Sequence, residues 1–559
     1  MKKLGSMFIC TLTGLFLLSS NHFWEPELIS YDYSDANNAI FIADSLGVVH
    51  AGYQKNLQGA NGREEACVFG AIQFNIQEYF DELDFDIVVD EVVFNREAIS
   101  SQCTGIKMGK DGHLYVSGWV EIGYELLSSI KQGFVMRISE DTEFPVIDVE
   151  WVYIFNFNGA NHRQDPELYD IEVLHTQHDD LPIVYVAGKM NYNENGANTQ
   201  EDKAVIYKFE QEEISSGVYT LVDDGPVWSF ETQRDDEPPS DTQAVFNTLT
   251  AHNEEEEIFL YCGVKVTKKT KVSDEVVLDP AGIGGRAYLL KLKSNTSFEN
   301  SLQIPPFELG SQSFAKQIKI ISDKIFICGA SDSENQSSAA IAQASVWKLR
   351  EETSGFTELW NWNAVGHDQP GVTTSQANSF TLLGSGFIVV TGYFAGTVHF
   401  DPDDVNGPNS LESLVDSQDV FVALLCPNGK LFWAKSLGEP YDDNEDEEDG
   451  NDAGIKIFGG ANQFRISGHF SGKLDFDPSE NDEIGESGAF NNEYTSDWFT
   501  FVWKLSGFIF DYDILSGSHT SGAVSDLDES DDNYLRFNFP SSALSPPTVQ
   551  AKFNGRFRC

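Results

Sequence analysis

The stretch IVVTG at residues 388–392 sets the fold. The pattern is two or three apolar residues, then a small one, here Thr391, and then a glycine, here Gly392. The same pattern stands at VVHAG (48–52), LYVSG (114–118), VYVAG (184–188), FLYCG (259–263), IFICG (325–329) and FRISG (464–468). The glycines recur about seventy residues apart, which marks seven copies of one supersecondary unit.

Each unit carries further marks. A second apolar run follows the glycine: FVMRI (134–138), VIYKF (205–209), YLLKL (288–292), SVWKL (345–349), FVALL (421–425) and FVWKL (501–505). A last run often holds a tryptophan: Trp151, Trp228, Trp360 and Trp433. These runs are rich in β-branched and aromatic residues and are bounded by Gly, Asn, Asp and Ser, the signature of strands. Four short strands repeated seven times predict an all-β chain. The expected fold is a seven-bladed β-propeller of four-stranded antiparallel blades over 38–513, followed by a short β-rich tail at 514–559. The register puts whole blades at both ends, so closure is expected to rest on blade packing and not on a shared blade. Cys262 and Cys328 stand where other repeats have Ser117, Ala187, Thr391 and Ser467, which suits close packing of the inner strands. The alternatives are a disulfide between Cys262 and Cys328 and one between Cys67 and Cys103.

Residues 1–20, MKKLGSMFICTLTGLFLLSS, have the layout of a signal peptide. Lys2 and Lys3 precede the apolar run Met7 to Leu18, and Ser19 and Ser20 follow. Export to the periplasm, cell surface or exterior is expected, with residues 21–37 as a linker. No later run is apolar enough for a transmembrane segment. The composition narrows the partners. With 88 Asp+Glu against 36 Lys+Arg, the formal net charge is -52. Nucleic acid and anionic membrane surfaces would be repelled. Hydrophobic residues make up 41% and aromatics 13%, which excludes a disordered acidic chain. Seven scattered cysteines exclude a disulfide-dense scaffold.

The runs GFIVVTGYFAGTVHFDPDD (386–404), DVFVALLCPNGKLFWAKSLG (419–438) and FRISGHFSGKLDFDPSEN (464–481) resemble the SBBP-type bacterial β-propeller repeat. The likeness is close over 386–505 and degenerate over 38–385, where the FDP stretch is missing or reduced to VLDP (277–280). It implies a secreted or surface-exposed propeller and carries no shared catalytic activity.

With the strands of a blade lettered a to d, the b–c and d–a segments are long and emerge on one rim. A protein or glycan ligand is expected there, because binding residues sit on loops held by a rigid scaffold. Asp401, Asp403 and Asp404 in HFDPDD, and Asp475, Asp477 and Asp482 in LDFDPSENDE, offer oxygen ligands for calcium. The plainer alternative is that Asp-Pro ends a strand and caps a turn. The acidic run DDNEDEEDGND (442–452) lacks the EF-hand spacing. His175, His178, Asp179 and Asp180 have metal-ligating residue types within what reads as a short polar turn. No G-x-S-x-G elbow, H-E-x-x-H pair or P-loop is present, and no cofactor signature stands out. The sequence therefore points to an exported, non-catalytic binding or scaffolding propeller. One alternative is a glycan-directed hydrolase or lyase with carboxylates distributed in the channel. Another is a calcium-dependent surface or adhesive protein.

Overall fold

The computed structural model describes side chains over most of residues 104–468, and strand positions alone over parts of 24–103 and 469–537. The chain is all-β, built of four-stranded antiparallel sheets. Seven such sheets follow one another and are numbered here in chain order. Sheet two shows the pattern: Glu97–Met108, Leu114–Tyr124, Leu127–Glu140 and Ile147–Ile154 as strands a to d. The a strands of the seven sheets are Asn38–Ala43, Glu97–Met108, His162–Leu174, Ala244–Glu254, Phe314–Ile321, Thr374–Leu382 and Ala453–Gly460. Each packs on the a strand of the next sheet, and the last packs on the first.

Alternation along the b strands explains why both sheet faces are covered. In sheet three, Val184 and Val186 enter a cluster with Tyr115 and Val135 of sheet two. Their neighbours Tyr185 and Ala187 enter another with Phe246 and Leu260 of sheet four. A period of two therefore serves two interfaces at once, which is why these strands read as continuous apolar runs.

The small-residue–Gly motif has a specific cause. In sheets two to seven the pairing of strands a and b slips by one residue at the motif. In sheet six, for example, Ala377 faces Gly392 and Ser379 faces Thr391, leaving Asn378 as the extra residue of a β-bulge. The bulge brings a backbone carbonyl over the glycine. A Cβ on Gly392 would lie 1.8 Å from the Gln376 oxygen, on Gly329 1.9 Å from the Phe314 oxygen, and on Gly188 2.0 Å from the Glu167 oxygen. Only glycine fits. Cys262 and Cys328 are free and fully buried, in line with a packing role.

Two expectations change. The last sheet is completed by Trp24–Glu25, which pair antiparallel with Leu505 and Lys504. The N-terminus thus supplies its d strand, and the expectation of no shared sheet is replaced. The physical reason is the open edge of strand c in that sheet, whose unpaired N–H and C=O groups need a partner. Two of the segments expected as long loops carry strands. The b–c connection of sheet two is a hairpin extension in which Tyr124 faces Leu127. At sheet six, Val365–Gly366, Thr397–His399 and Ser410–Glu412 form a small three-stranded sheet. Its Phe400 is fully buried against Trp362, Phe394 and Phe421. The phenylalanine of FDP is thus a core residue. In the tail, Leu527–Glu529 pairs with Leu535–Phe537, within the strand expected at 533–539.

Candidate functional site

Of the six aspartates expected to bind calcium, only Asp401 has a described side chain; it follows the strand Thr397–His399. Asp475 lies in the short strand Leu474–Asp475, and the placement of Asp403, Asp404, Asp477 and Asp482 lies outside the described residues. So does the acidic run up to Asn451, together with His178, Asp179, Asp180 and the Cys67 and Cys103 side chains. Among the described residues no three His, Cys, Asp or Glu side chains converge as a metal site.

The structure instead gathers polar groups in two tiers. The first joins strands c and d of one sheet to the c–d turn of the next. Arg137 sits opposite Trp151, Lys208 opposite Trp228 and Lys348 opposite Trp360. Each pair reaches the same turn of the following sheet. Arg137 Nη1 and Trp151 Nε1 both donate to Gln211 Oε1, at 3.0 and 3.1 Å. Lys208 donates to Asn295 Oδ1 at 3.0 Å and Trp228 to the Thr296 carbonyl at 2.9 Å. Lys348 and Trp360 both donate to the Pro427 carbonyl, at 3.2 and 3.1 Å. Lys291 extends the series to Glu351, at 2.7 Å. The signal was visible in the sequence as a basic fourth residue in FVMRI, VIYKF, YLLKL, SVWKL and FVWKL. A charge that recurs inside an apolar strand needs a buried partner.

Arg137 anchors the richest of these clusters. It is 1% exposed. Nε lies 2.9 Å from Glu150 Oε2, Nη2 lies 3.3 Å from Asp111 Oδ2, and the guanidinium stacks 4.0 Å over the Tyr219 ring. His113 bridges the two acids, 3.0 Å from Glu150 Oε1 and 3.4 Å from Asp111 Oδ2. Tyr115 donates to Asp111 at 2.7 Å, and His175 approaches it at 3.9 Å. The hydrogen bond with Asp111 raises the His113 pKa, and burial and the Arg137 charge oppose it without cancelling it. Burial alone would raise Asp111, yet the bonds from His113 and Tyr115 and the charge of Arg137 together hold it below its ordinary value. These acids are committed to a guanidinium. His175, expected only in a polar turn, belongs to the same cluster.

The second tier lies on the a strands, at and after the bulge. Asp170 Oδ2 accepts from Leu249 N at 2.9 Å and Thr248 Oγ1 at 2.8 Å. Gln317 Oε1 accepts from Phe380 N at 2.8 Å and Ser379 Oγ at 3.0 Å. Ser379 Oγ in turn accepts from Ile457 N at 3.1 Å. Donor and acceptor hold the same positions relative to the bulge each time, so one bond repeats from sheet to sheet. Two residues further along, Glu172 accepts from Lys107 of sheet two at 3.1 Å and from Thr250 of sheet four at 3.2 Å. This tier also carries Lys316, Lys319 and Lys456.

Asp419 is a buried acid outside both tiers. Asp419 opens strand c of sheet six, and burial alone pushes its carboxyl up to about 7. With a raised folded pKa, stability is highest at low pH and declines as pH climbs from the unfolded value towards 7. Asp419→Asn removes that cost. Allowing for a buried amide in its place, denaturant melts should show a gain of roughly 2 kcal/mol at pH 8 and almost none at pH 4.

No protein-family model matches the chain, and no curated protein sequence matches it. Among solved structures, it is similar to a sialidase from Trypanosoma rangeli in complex with the inhibitor DANA. The identity is 11% and the TM-score 0.34, over 77% of this chain and 58% of that one. A mutant of Trypanosoma rangeli sialidase displaying trans-sialidase activity gives 10% and 0.36, over 86% and 59%. Sucrose-6-phosphate hydrolase from Lactobacillus gasseri gives 11% and 0.28, over 88% and 94%. The chain thus spans less than two thirds of the length of the sialidases.

Proposed function

We propose that the seven sheets are the blades of a closed seven-bladed β-propeller, exported by residues 1–20, that acts as a non-catalytic binding or scaffolding module at the cell exterior. The observation that carries the non-catalytic reading is the state of the a-strand carboxylates. Among the described residues, Asp170 and Glu172 are spent on bonds to neighbouring sheets, and Glu167 and Glu254 pair with Lys189 and Lys291. A distributed hydrolase needs one carboxyl group free to donate a proton and a second free to attack or to activate water. The SBBP-type resemblance supports the same reading, and the rim supports a protein or glycan ligand.

The test is a gel-retardation series with soluble polysaccharides, read alongside a reducing-end assay. Retardation with no new reducing ends is the expected result. New reducing ends would replace this reading with the glycan-directed hydrolase. A melt in excess chelator addresses calcium: this reading expects an unchanged midpoint, whereas a calcium-dependent surface protein would lose stability.

A further inference from the structure

Three lysines of the a strands differ from the cations that pair with carboxylates. Arg137 and Lys291 each meet carboxylates, and Lys107 meets Glu172. Lys316, Lys319 and Lys456 have no carboxylate ion pair among the described residues. Lys319 donates to the Phe380 carbonyl at 3.0 Å, and Lys316 and Lys265 both approach the Phe314 ring at 5.7 Å. Lys316 is exposed, and Lys319 and Lys456 are half-buried.

Hydrogen bonds bring them together across sheets: Lys319 reaches the carbonyl of Phe380, whose neighbour Ser379 accepts from the N–H of Ile457, the residue after Lys456. Burial first, and then the charges of Lys107 and Lys456, lower the Lys319 ammonium to about 8. Lys107 comes from sheet two and Lys456 from sheet seven, so three a strands far apart in sequence place their ammonium groups within electrostatic reach. Burial and the charges of Lys456 and Lys265 lower Lys316 likewise. Lys107 behaves oppositely: burial lowers it, but Glu172 more than compensates and its pKa is raised. Among the described residues, Lys107 is thus neutralised by Glu172, whereas Lys316, Lys319 and Lys456 have no such carboxylate. In a chain of net charge -52, carboxylates are abundant, yet none is paired with these three lysines among the described residues.

We propose that the space enclosed by the a strands is an anion-binding site, in which Lys316, Lys319 and Lys456 hold a small ligand bearing several carboxylate, sulfate or phosphate groups. The inference rests on the ring reading above and names the ligand class it would take. Three separate ammonium heads favour a multiply charged ligand over a single carboxylate. The long-range field of the acidic surface repels anions, so recognition is short-ranged and needs direct contact with the lysines. Free carboxylates, sulfates and phosphates share this chemistry, and the probes separate them.

The test is calorimetric titration of the full mature chain with citrate, inorganic sulfate and inorganic phosphate, with sucrose as the neutral control. The wild type should bind at least one of the anions and not sucrose. Lys316→Gln combined with Lys319→Gln should weaken that binding tenfold or more, whereas Lys430→Gln in an exposed turn should leave it unchanged. Melting curves accompany each variant. Removing crowded cations should leave the midpoint unchanged or raised, which separates lost binding from lost fold. No heat with any of the three anions, or equal affinity in the double variant, overturns the site. If the particle still shows a closed ring, that outcome leaves the propeller reading standing.

Discussion

Gly392→Ala should destabilise the protein by at least about 3 kcal/mol, in a chain whose motif glycines otherwise look like simple strand residues. The added Cβ would meet the Gln376 carbonyl at 1.8 Å and the Phe421 ring at 2.9 Å. The carbonyl belongs to backbone fixed by the β-bulge, so no side-chain rotation relieves the clash. Relief requires losing the bulge, and with it the placement of Ser379. That hydroxyl joins sheets five, six and seven through Gln317 and Ile457 N. One methyl group thus disturbs pairing within a sheet and bonding across two interfaces. Thr391→Ser is the control. It keeps the hydroxyl that donates to the Phe421 carbonyl at 3.0 Å and should cost about 1 kcal/mol. Urea melts of the two variants check the contrast. A mild effect at Gly392 equal to that at Thr391 would mean that the bulge adapts.

Arg137→Leu should cost about 3–5 kcal/mol, because it strands two carboxylates arranged around a guanidinium that is 1% exposed. The loss should depend on pH, with a sign that follows from His113. Its folded pKa is raised, so its stabilising contribution is complete below the unfolded value near 6.5 and disappears as pH rises through the folded value. The Arg137 charge opposes protonation of His113, and the variant lifts that opposition. The imidazolium then partly replaces the guanidinium between Asp111 and Glu150. The variant should therefore lie closer to wild type at pH 5 than at pH 8. Denaturant midpoints at both values check this, and a deficit that grows on acidification would contradict the assigned network.

What could be read from the sequence divides along physical lines. The b strands with their glycines, the c strands, and the d strands with their tryptophans follow from local composition, and they recur where runs such as 114–118 or 345–349 placed them. The bulge at Asn378 was hidden, because it is a property of pairing between two strands. The closure by Trp24–Glu25 was hidden for a related reason: two residues carry no periodicity, and their partner lies at the far end of the chain. The Arg137 and Lys208 contacts were half visible, as basic residues inside apolar runs. Lys319 and Lys456 share no motif. They become related only once the register places both on a strands.

Closure of seven repeats into one ring, completed by the N-terminal strand, is the architecture we propose. An experimental density map of the mature chain, by cryo-electron microscopy or crystallography, tests it most directly. The account predicts seven lobes around a single passage, with the segment at Trp24 forming the outer strand of the lobe that contains Ala453–Gly460. Six or eight lobes, an open arc, or a last lobe completed by residues that follow Ser506 would contradict it.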